Sequence, residues 1–324
     1  MENVMELLDP KKVASLLEGS KDVLVGVSGG VDSMALISWL ARNKDRVSCE
    51  IRAMHVDHGE PLAAEWARFT MAECTKLGVP CEVMTVDISS FGNNYEYAAR
   101  QARYMAFCSS GADTIVLAHH ANDQCESFFL KLFRGSGVKG LKAMSYRSPC
   151  WYDPGIDVVR PMLDLTRGQI AEWAEHNSVP VTEDPSNADV KHDRNYIRHR
   201  IWPVIQDRFD IADINISRSI RHLSESWELT NMLADQDIVS TTMADGSLEW
   251  TKVRDLGYLR IKNMILRILE REGVYSFSIN HIEQFAQGLI DADYDSRNEL
   301  SLKGFAMNKI GKRIHVSANQ RRAA

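Results

Sequence analysis

Apolar residues crowd together early in the chain, at Val23, Leu24, Val25 and Val27, with almost no polar interruption. Such a run predicts a strand covered on both faces, as in a parallel sheet. Helical spacing then begins at Met34, Leu36, Ile37 and Leu40. The alternation repeats. Residues 48–58 carry Ile51, Met54 and Val56 and predict a second strand, and 61–78 an amphipathic helix with Leu62, Trp66, Phe69 and Leu77 inside, stopped by Gly78. A third strand is predicted over 79–88, a third helix over 94–110, a fourth strand over 114–120 and a helix over 121–134. This order predicts an α/β fold, a parallel sheet with helices on both faces, with ligands at the carboxyl ends of its strands.

The character changes near 207–213. A long polar helix with a thin apolar stripe is predicted over 215–239, then helices over 253–272 and 278–290, and a short hairpin within 298–316. The expected division is a catalytic domain at 1–210, a helical connector at 211–243 and a small, mainly helical domain at 244–324.

Between the first strand and its helix lies Ser28-Gly29-Gly30-Val31-Asp32-Ser33. Glycines there let another atom approach the backbone. The helix that follows offers free N–H groups and a positive dipole end, which suits a phosphate. Ser28 and Ser33 add hydroxyls. Asp32 would repel a polyphosphate unless a cation lay between them, which makes it a candidate Mg²⁺ ligand. The same residues also suit an ordinary helix cap after a strand. No Gly-Lys-Ser or Gly-Lys-Thr closes the turn, so it is not a Walker A loop.

Two more motifs fall at strand ends: His55-Val56-Asp57-His58-Gly59, and the stretch from His119 to Glu126. Asp123 and Glu126, three apart on a helix, share a face. They could hold Mg²⁺, accept an amine, or stabilise the helix dipole. Six scattered cysteines without a CxxC pair suggest neither a disulfide framework nor a zinc or iron–sulfur site. A net charge of −6 argues against nonspecific coating of nucleic acid. Within it stand two basic regions, Lys131, Arg134, Lys139, Lys142 and Arg147, and Lys191 to Arg208. Each reads as a solvated surface or as a phosphate-backbone track. No apolar run approaches membrane-spanning length, and the start, MENVMELLDPKKVASLL, is acidic and amphipathic, so a cytoplasmic location is expected.

SGGVDS resembles the PP-loop of the N-type ATP pyrophosphatases. HHANDQCESFFLKLFRGSGVKGLKAM is similar to the corresponding stretch of the tRNA(Ile)-lysidine synthetases. Glu96 to Tyr104, Arg160 to Ile170, and Asp184 to Pro203 resemble further segments of that family in the same order. The resemblance implies ATP-dependent joining of lysine to C2 of the wobble cytidine of tRNA(Ile) CAU, through an adenylated intermediate, with ATP and Mg²⁺ required. It implies ATP contacts at Ser28, Gly29, Gly30, Val31, Asp32, Ser33, His55 and His58. Asp32, Asp123, Glu126 and Arg198 become the catalytic candidates, and Arg100, Arg103, Lys131, Arg134, Lys139, Arg194 and Arg198 those for substrate or tRNA. The arginines at 194 and 198 suit an ATP clamp as well. Glu60-Pro61 replaces the family's Leu-Arg, and Ser127 its threonine. The chain reads as a short form in which the last domain binds tRNA, and a homodimer stays open. Another PP-loop activity, such as thiolation, or a non-catalytic tRNA-binding relative, remains the alternative.

Overall fold

The computed structural model describes residues 6–318 apart from 48, 60–61, 92–94, 183–189 and 192. Glu60-Pro61, Asp184 to Asn187 and the side chain of Glu96 therefore lie outside the described residues. Two compact units are present, Met1–Leu223 and Ser224–Ala324.

The first unit is built on a six-stranded sheet. Its strands are β1 (Asp22–Gly26), β2 (Glu50–Asp57), β3 (Cys81–Thr85), β4 (Thr114–Val116), β5 (Arg147–Pro149) and β6 (Asp157–Val159), in the order β3-β2-β1-β4-β6-β5. All neighbours are parallel except β5, which runs antiparallel along the edge of β6. The crossover helices are α2 (Val31–Arg42), α3 (Ala63–Lys76) and α4 (Tyr95–Ser109), with a short α1 (Pro10–Leu16) before β1.

Burial explains the unbroken apolar run of β1. Val23 and Val25 enter one core with Met34, Leu36, Ile37 and Leu40 of α2. Leu24 enters the other, with Tyr104 and Phe107 of α4. All three strand residues are fully buried, each contributing about 1.5–3 kcal/mol. A strand with one wet face would have alternated.

Because β1 connects outward to β2 while its other neighbour is β4, the loops after β1 and β4 diverge and open a crevice between them. Helix α5 (Ala121–Phe133) starts just beyond β4, followed by α6 (Val138–Leu141) and α7 (Arg167–His176). The unit continues through α8 (Asp193–Tyr196), a π-helical turn (Ile197–Ile201), α9 (Trp202–Arg208) and the first part of α10 (Ala212–Thr241).

In the second unit, α11 (Trp250–Asp255), α12 (Tyr258–Arg271) and α13 (Ile279–Asp291) pack with β7 (Leu248–Glu249), β8 (Asn298–Leu302), β9 (Phe305–Ile310) and β10 (Arg313–Ala318). The helix expected over 253–272 is two helices, separated at Gly257, where φ is +78°. The expected hairpin is part of a four-stranded antiparallel sheet, ordered β7-β10-β9-β8. Two-residue β7 is too short to leave a periodic signal.

On β9 the inward positions are Phe305, Met307 and Lys309. Lys309 is fully buried. Its ammonium donates to the carbonyls of Asp293, Tyr294 (3.0 Å) and Ser296 (2.9 Å), and lies 4.3 Å from the Trp250 ring centroid. One inward-facing cation thus ties the loop after α13 to the sheet. Lys309→Met leaves those buried carbonyls without their donor. It is expected to lower the unfolding free energy of this unit by roughly 3 kcal/mol in denaturant titration, and a loss below about 1 kcal/mol would contradict this role.

Candidate active site

A cleft of about 870 Å³ opens at the carboxyl ends of β1, β2 and β4. Its floor is the Ser28–Ser33 turn. Gly29 has φ of +88°, and a Cβ there would stand 2.6 Å from the Thr182 hydroxyl, so only glycine fits. The Thr182 N–H donates to the Gly29 carbonyl at 2.9 Å, and both Val181 and Thr182 line the cleft. Ser33 Oγ accepts from the Ser28 N–H at 3.1 Å and lies 3.2 Å from Ser28 Oγ, which ties the turn across itself. Gly30, the cap of α2, makes no side-chain cap bond. The first-turn N–H groups of this twelve-residue helix therefore face the cleft with the dipole's positive end behind them.

Asp32 sits in that first turn, and its Oδ1 is buried with no hydrogen-bond partner in the protein. Its Oδ2 lies 3.6 Å from His120 Nε2. A carboxylate oxygen left bare beside a phosphate cradle fits Mg²⁺, which takes one or two carboxylates and completes its shell with substrate oxygens and water. Among the described residues no group of three or more His, Cys, Asp or Glu is placed to hold a metal by itself.

His120 bridges the two sides of the cleft. The same Nε2 lies 3.5 Å from Asp123 Oδ2. Burial disfavours the imidazolium, but the hydrogen bond to Asp32 and the charges of Asp123, Asp32 and Glu126 outweigh it and raise its pKa above the ordinary value. Burial likewise works against the Asp123 carboxylate. The charges of His120 and Arg194 and the His120 N–H, 3.0 Å from Oδ2, nevertheless hold its pKa below the ordinary value. At three other cleft histidines burial acts in the same direction and prevails. His119 is pushed down to about 3. Burial and then the Arg103 charge, with Arg103 Nη2 3.4 Å from His58 Nε2, push His58 to about 4. His55, lowered mainly by burial, has Nδ1 3.0 Å from the Val27 carbonyl. All three are neutral polar walls at physiological pH.

Not every expected residue reaches the cleft. Ser28, Gly30, Val31, Asp32, Ser33, His55, His58, Arg100, Arg103, Asp123 and Arg198 line it. Glu126, three residues along α5 from Asp123, is buried behind that wall. One oxygen accepts from Arg198 Nε at 2.6 Å. The other accepts from Arg194 Nε at 2.7 Å and Arg198 Nη2 at 3.1 Å. Both arginines also lie 3.5–3.6 Å from Asp123 Oδ1. Arg198 belongs to the π-helical turn, whose extra residue per turn alters where its side chains project. Lys131, Arg134 and Lys139 lie on exposed α5–α6 surface outside the cleft lining, with Arg134 3.2 Å from Asp193. Arg147 is structural. It pairs with Asp157 and donates to the carbonyls of Leu16 and Glu18.

Sequence reasoning did not assign Thr182, Trp66 or Arg167 to the site, yet all three line it. Arg167 begins α7, where its backbone N–H donates to Asn122 Oδ1 at 2.9 Å. None of the six cysteines lines the cleft.

The PP-loop domain model matches residues 3–205. The chain is 30% identical over 310 residues to a tRNA(Ile)-lysidine synthase of Coxiella burnetii, covering 94% of this chain and 68% of the relative. It is 32% identical over 315 residues to that of Alkalilimnicola ehrlichii, covering 95% and 70%. The Actinobacillus succinogenes protein of the same name is 40% identical over 214 residues, covering 65% and 49%. Among solved structures, the U34-tRNA thiolase NcsA of Methanococcus maripaludis superposes with a TM-score of 0.54 over 67% of this chain and 77% of its own. At 15% identity this likeness concerns the fold.

Truncating Glu126 isolates its structural part. Glu126→Ala leaves two half-buried arginines without their shared counter-charge. It is expected to lower the unfolding free energy by about 2–3 kcal/mol, measured by denaturation. Wild-type stability in the variant would show that the cluster is not held by this pairing.

Proposed function

Because this chain belongs to the tRNA(Ile)-lysidine synthase family of PP-loop proteins, an ATP-binding ligase family that modifies tRNA, we propose the following chemistry for its cleft. The enzyme adenylates the C2 oxygen of the wobble cytidine of tRNA(Ile) CAU and then replaces AMP by lysine. The observation that carries this reading is the chain Asp32–His120–Asp123, with separations of 3.6 and 3.5 Å, running from the phosphate cradle to a second carboxylate.

In the first step the C2 oxygen attacks the α-phosphorus of ATP, the bond to the β-phosphate oxygen breaks, and pyrophosphate leaves. The N–H groups opening α2 and the hydroxyls of Ser28 and Ser33 receive the phosphate charge. Asp32 would hold Mg²⁺, which when bound neutralises charge between the carboxylate and the polyphosphate. His55 and His58, kept neutral, border the nucleotide pocket beside Tyr104, Phe107 and Leu117.

In the second step the lysine ε-amine attacks C2 and the C2–O bond breaks, releasing AMP. A free ammonium has a pKa near 10.4, so at neutral pH it must be docked and relieved of a proton. Asp123 is the carboxylate in the cleft for that task. Glu126 supports it by holding Arg194 and Arg198 in register, and Arg198 faces the charge developing at the reaction centre. Arg100 and Arg103 line the path for the splayed tRNA nucleotide. Exposed Lys131, Arg134 and Lys139, together with the second unit, contact tRNA outside the cleft. A cytoplasmic location goes with this substrate, and among the described residues no helix is long and apolar enough to cross a membrane. A thiolation chemistry based on cysteine ligands finds no cysteine in the cleft lining.

Partial reactions separate the two carboxylates. With tRNA and ATP but no lysine, Asp32→Asn is expected to lose pyrophosphate release by at least about a hundred-fold, the scale of a lost charge-stabilising group. Asp123→Asn should keep that release within about ten-fold of wild type and fail to incorporate lysine. If Asp123→Asn abolishes pyrophosphate release as completely as Asp32→Asn, Asp123 belongs to the ATP and Mg²⁺ site instead.

A further inference from the structure

Between β5 and β6 the chain forms a loop, Cys150 to Ile156, that the catalytic account leaves without a task. Its two ends are fixed. Cys150 and Ile156 are buried in the core beneath α4, and the Cys150 N–H donates to the Ile156 carbonyl at 2.7 Å. The turn is tied internally by Gly155 N–H to Asp153 Oδ1 at 3.0 Å and Ile156 N–H to the Asp153 carbonyl at 3.1 Å. Trp151 and Tyr152 therefore project from anchored backbone, and both remain exposed, at 44% and 41%.

Their rings are ordered relative to the cleft. Trp151 meets Tyr152 edge-on with centroids 5.8 Å apart, and Tyr104 at 5.2 Å. The Arg100 guanidinium lies 5.2 Å from the Tyr104 centroid and 6.0 Å from that of Trp151. Tyr104 and Arg100 are cleft-lining residues. Buried Tyr104 thus backs the two exposed rings from the cleft wall, with the Arg100 cation beside them.

Two adjacent exposed aromatics forgo the free energy of burial. Fixed by their flanks and paired with a guanidinium, they match what an unpaired nucleotide requires: π-faces for the base and a positive charge for its phosphate. A lipid surface would call for a broader apolar face, and an acidic peptide for more cations than aromatics. Resting on the tRNA reading above, we infer that Trp151 and Tyr152 form a stacking platform for an unpaired anticodon-loop nucleotide neighbouring the reactive cytidine. The platform positions the strand so that one base enters the cleft while its neighbour stays on the rim.

The test combines anisotropy of a fluorescein-labelled tRNA(Ile) CAU transcript with steady-state lysine incorporation. Wild type, Trp151→Ala, Trp151→Phe and Tyr152→Ala are compared. Trp151→Ala is expected to weaken tRNA binding roughly ten-fold or more and raise the KM for tRNA in step. The KM values for ATP and lysine should not move, Trp151→Phe should restore most of the loss, and Tyr152→Ala should give a smaller effect of the same kind. Wild-type affinity in Trp151→Ala would overturn the platform. So would a Trp151→Phe variant as impaired as Trp151→Ala with a raised KM for ATP, which would mark a packing role. The anisotropy arm needs no turnover, so absence of lysine incorporation by wild type would refute the reaction and leave the platform independently decided.

Discussion

The site depends on one topological constraint, the reversal of strand order beside β1. Since β1 connects outward to β2 and only later acquires β4 as its other neighbour, the loops leaving β1 and β4 have to part. The parting places the start of α2 opposite the start of α5. Asp32 lies in the first turn of one helix and Asp123 in the first turn of the other, with His120 between them. The buried central strand β1, with a core on each face of the sheet, fixes where the two helix starts stand.

Electrostatics then decides what each polar group can do. Asp32, Asp123 and Glu126 are offset by His120, Arg194 and Arg198, and the division is uneven. Glu126 gives both oxygens to arginines within 3.1 Å, whereas Asp123 is touched by the same arginines only at 3.5–3.6 Å. The tightly paired carboxylate serves as the anchor. The loosely paired one lines the cleft, and Oδ1 of Asp32 has no hydrogen-bond partner in the protein.

Much of this was legible in the sequence where local physics dominates. The β-branched run of β1, the glycine turn and the helical spacing after it gave the floor of the cleft, and ordered motifs from about Leu24 to Ile205 gave the family. Long-range contacts were not legible. Thr182 meets Gly29 across some 150 residues of sequence, and the pairing of Glu126 with Arg194 and Arg198 spans about 70. Asp123 and Glu126 share a helical face by spacing, so nothing local tells which one the arginines cover. Lys309 reads as a surface residue by type, and only the strand register of β9 turns it inward. The aromatic rim at Trp151 and Tyr152 carries no motif at all.

The most direct test of the account is incorporation of labelled lysine into a tRNA(Ile) CAU transcript, with and without ATP, beside a tRNA(Met) transcript sharing that anticodon. The account predicts ATP-dependent labelling of tRNA(Ile) alone, with AMP and pyrophosphate formed in equal amounts. Release of AMP and pyrophosphate on addition of tRNA(Ile), with no lysine incorporated, would contradict it and assign the adenylated base to another nucleophile.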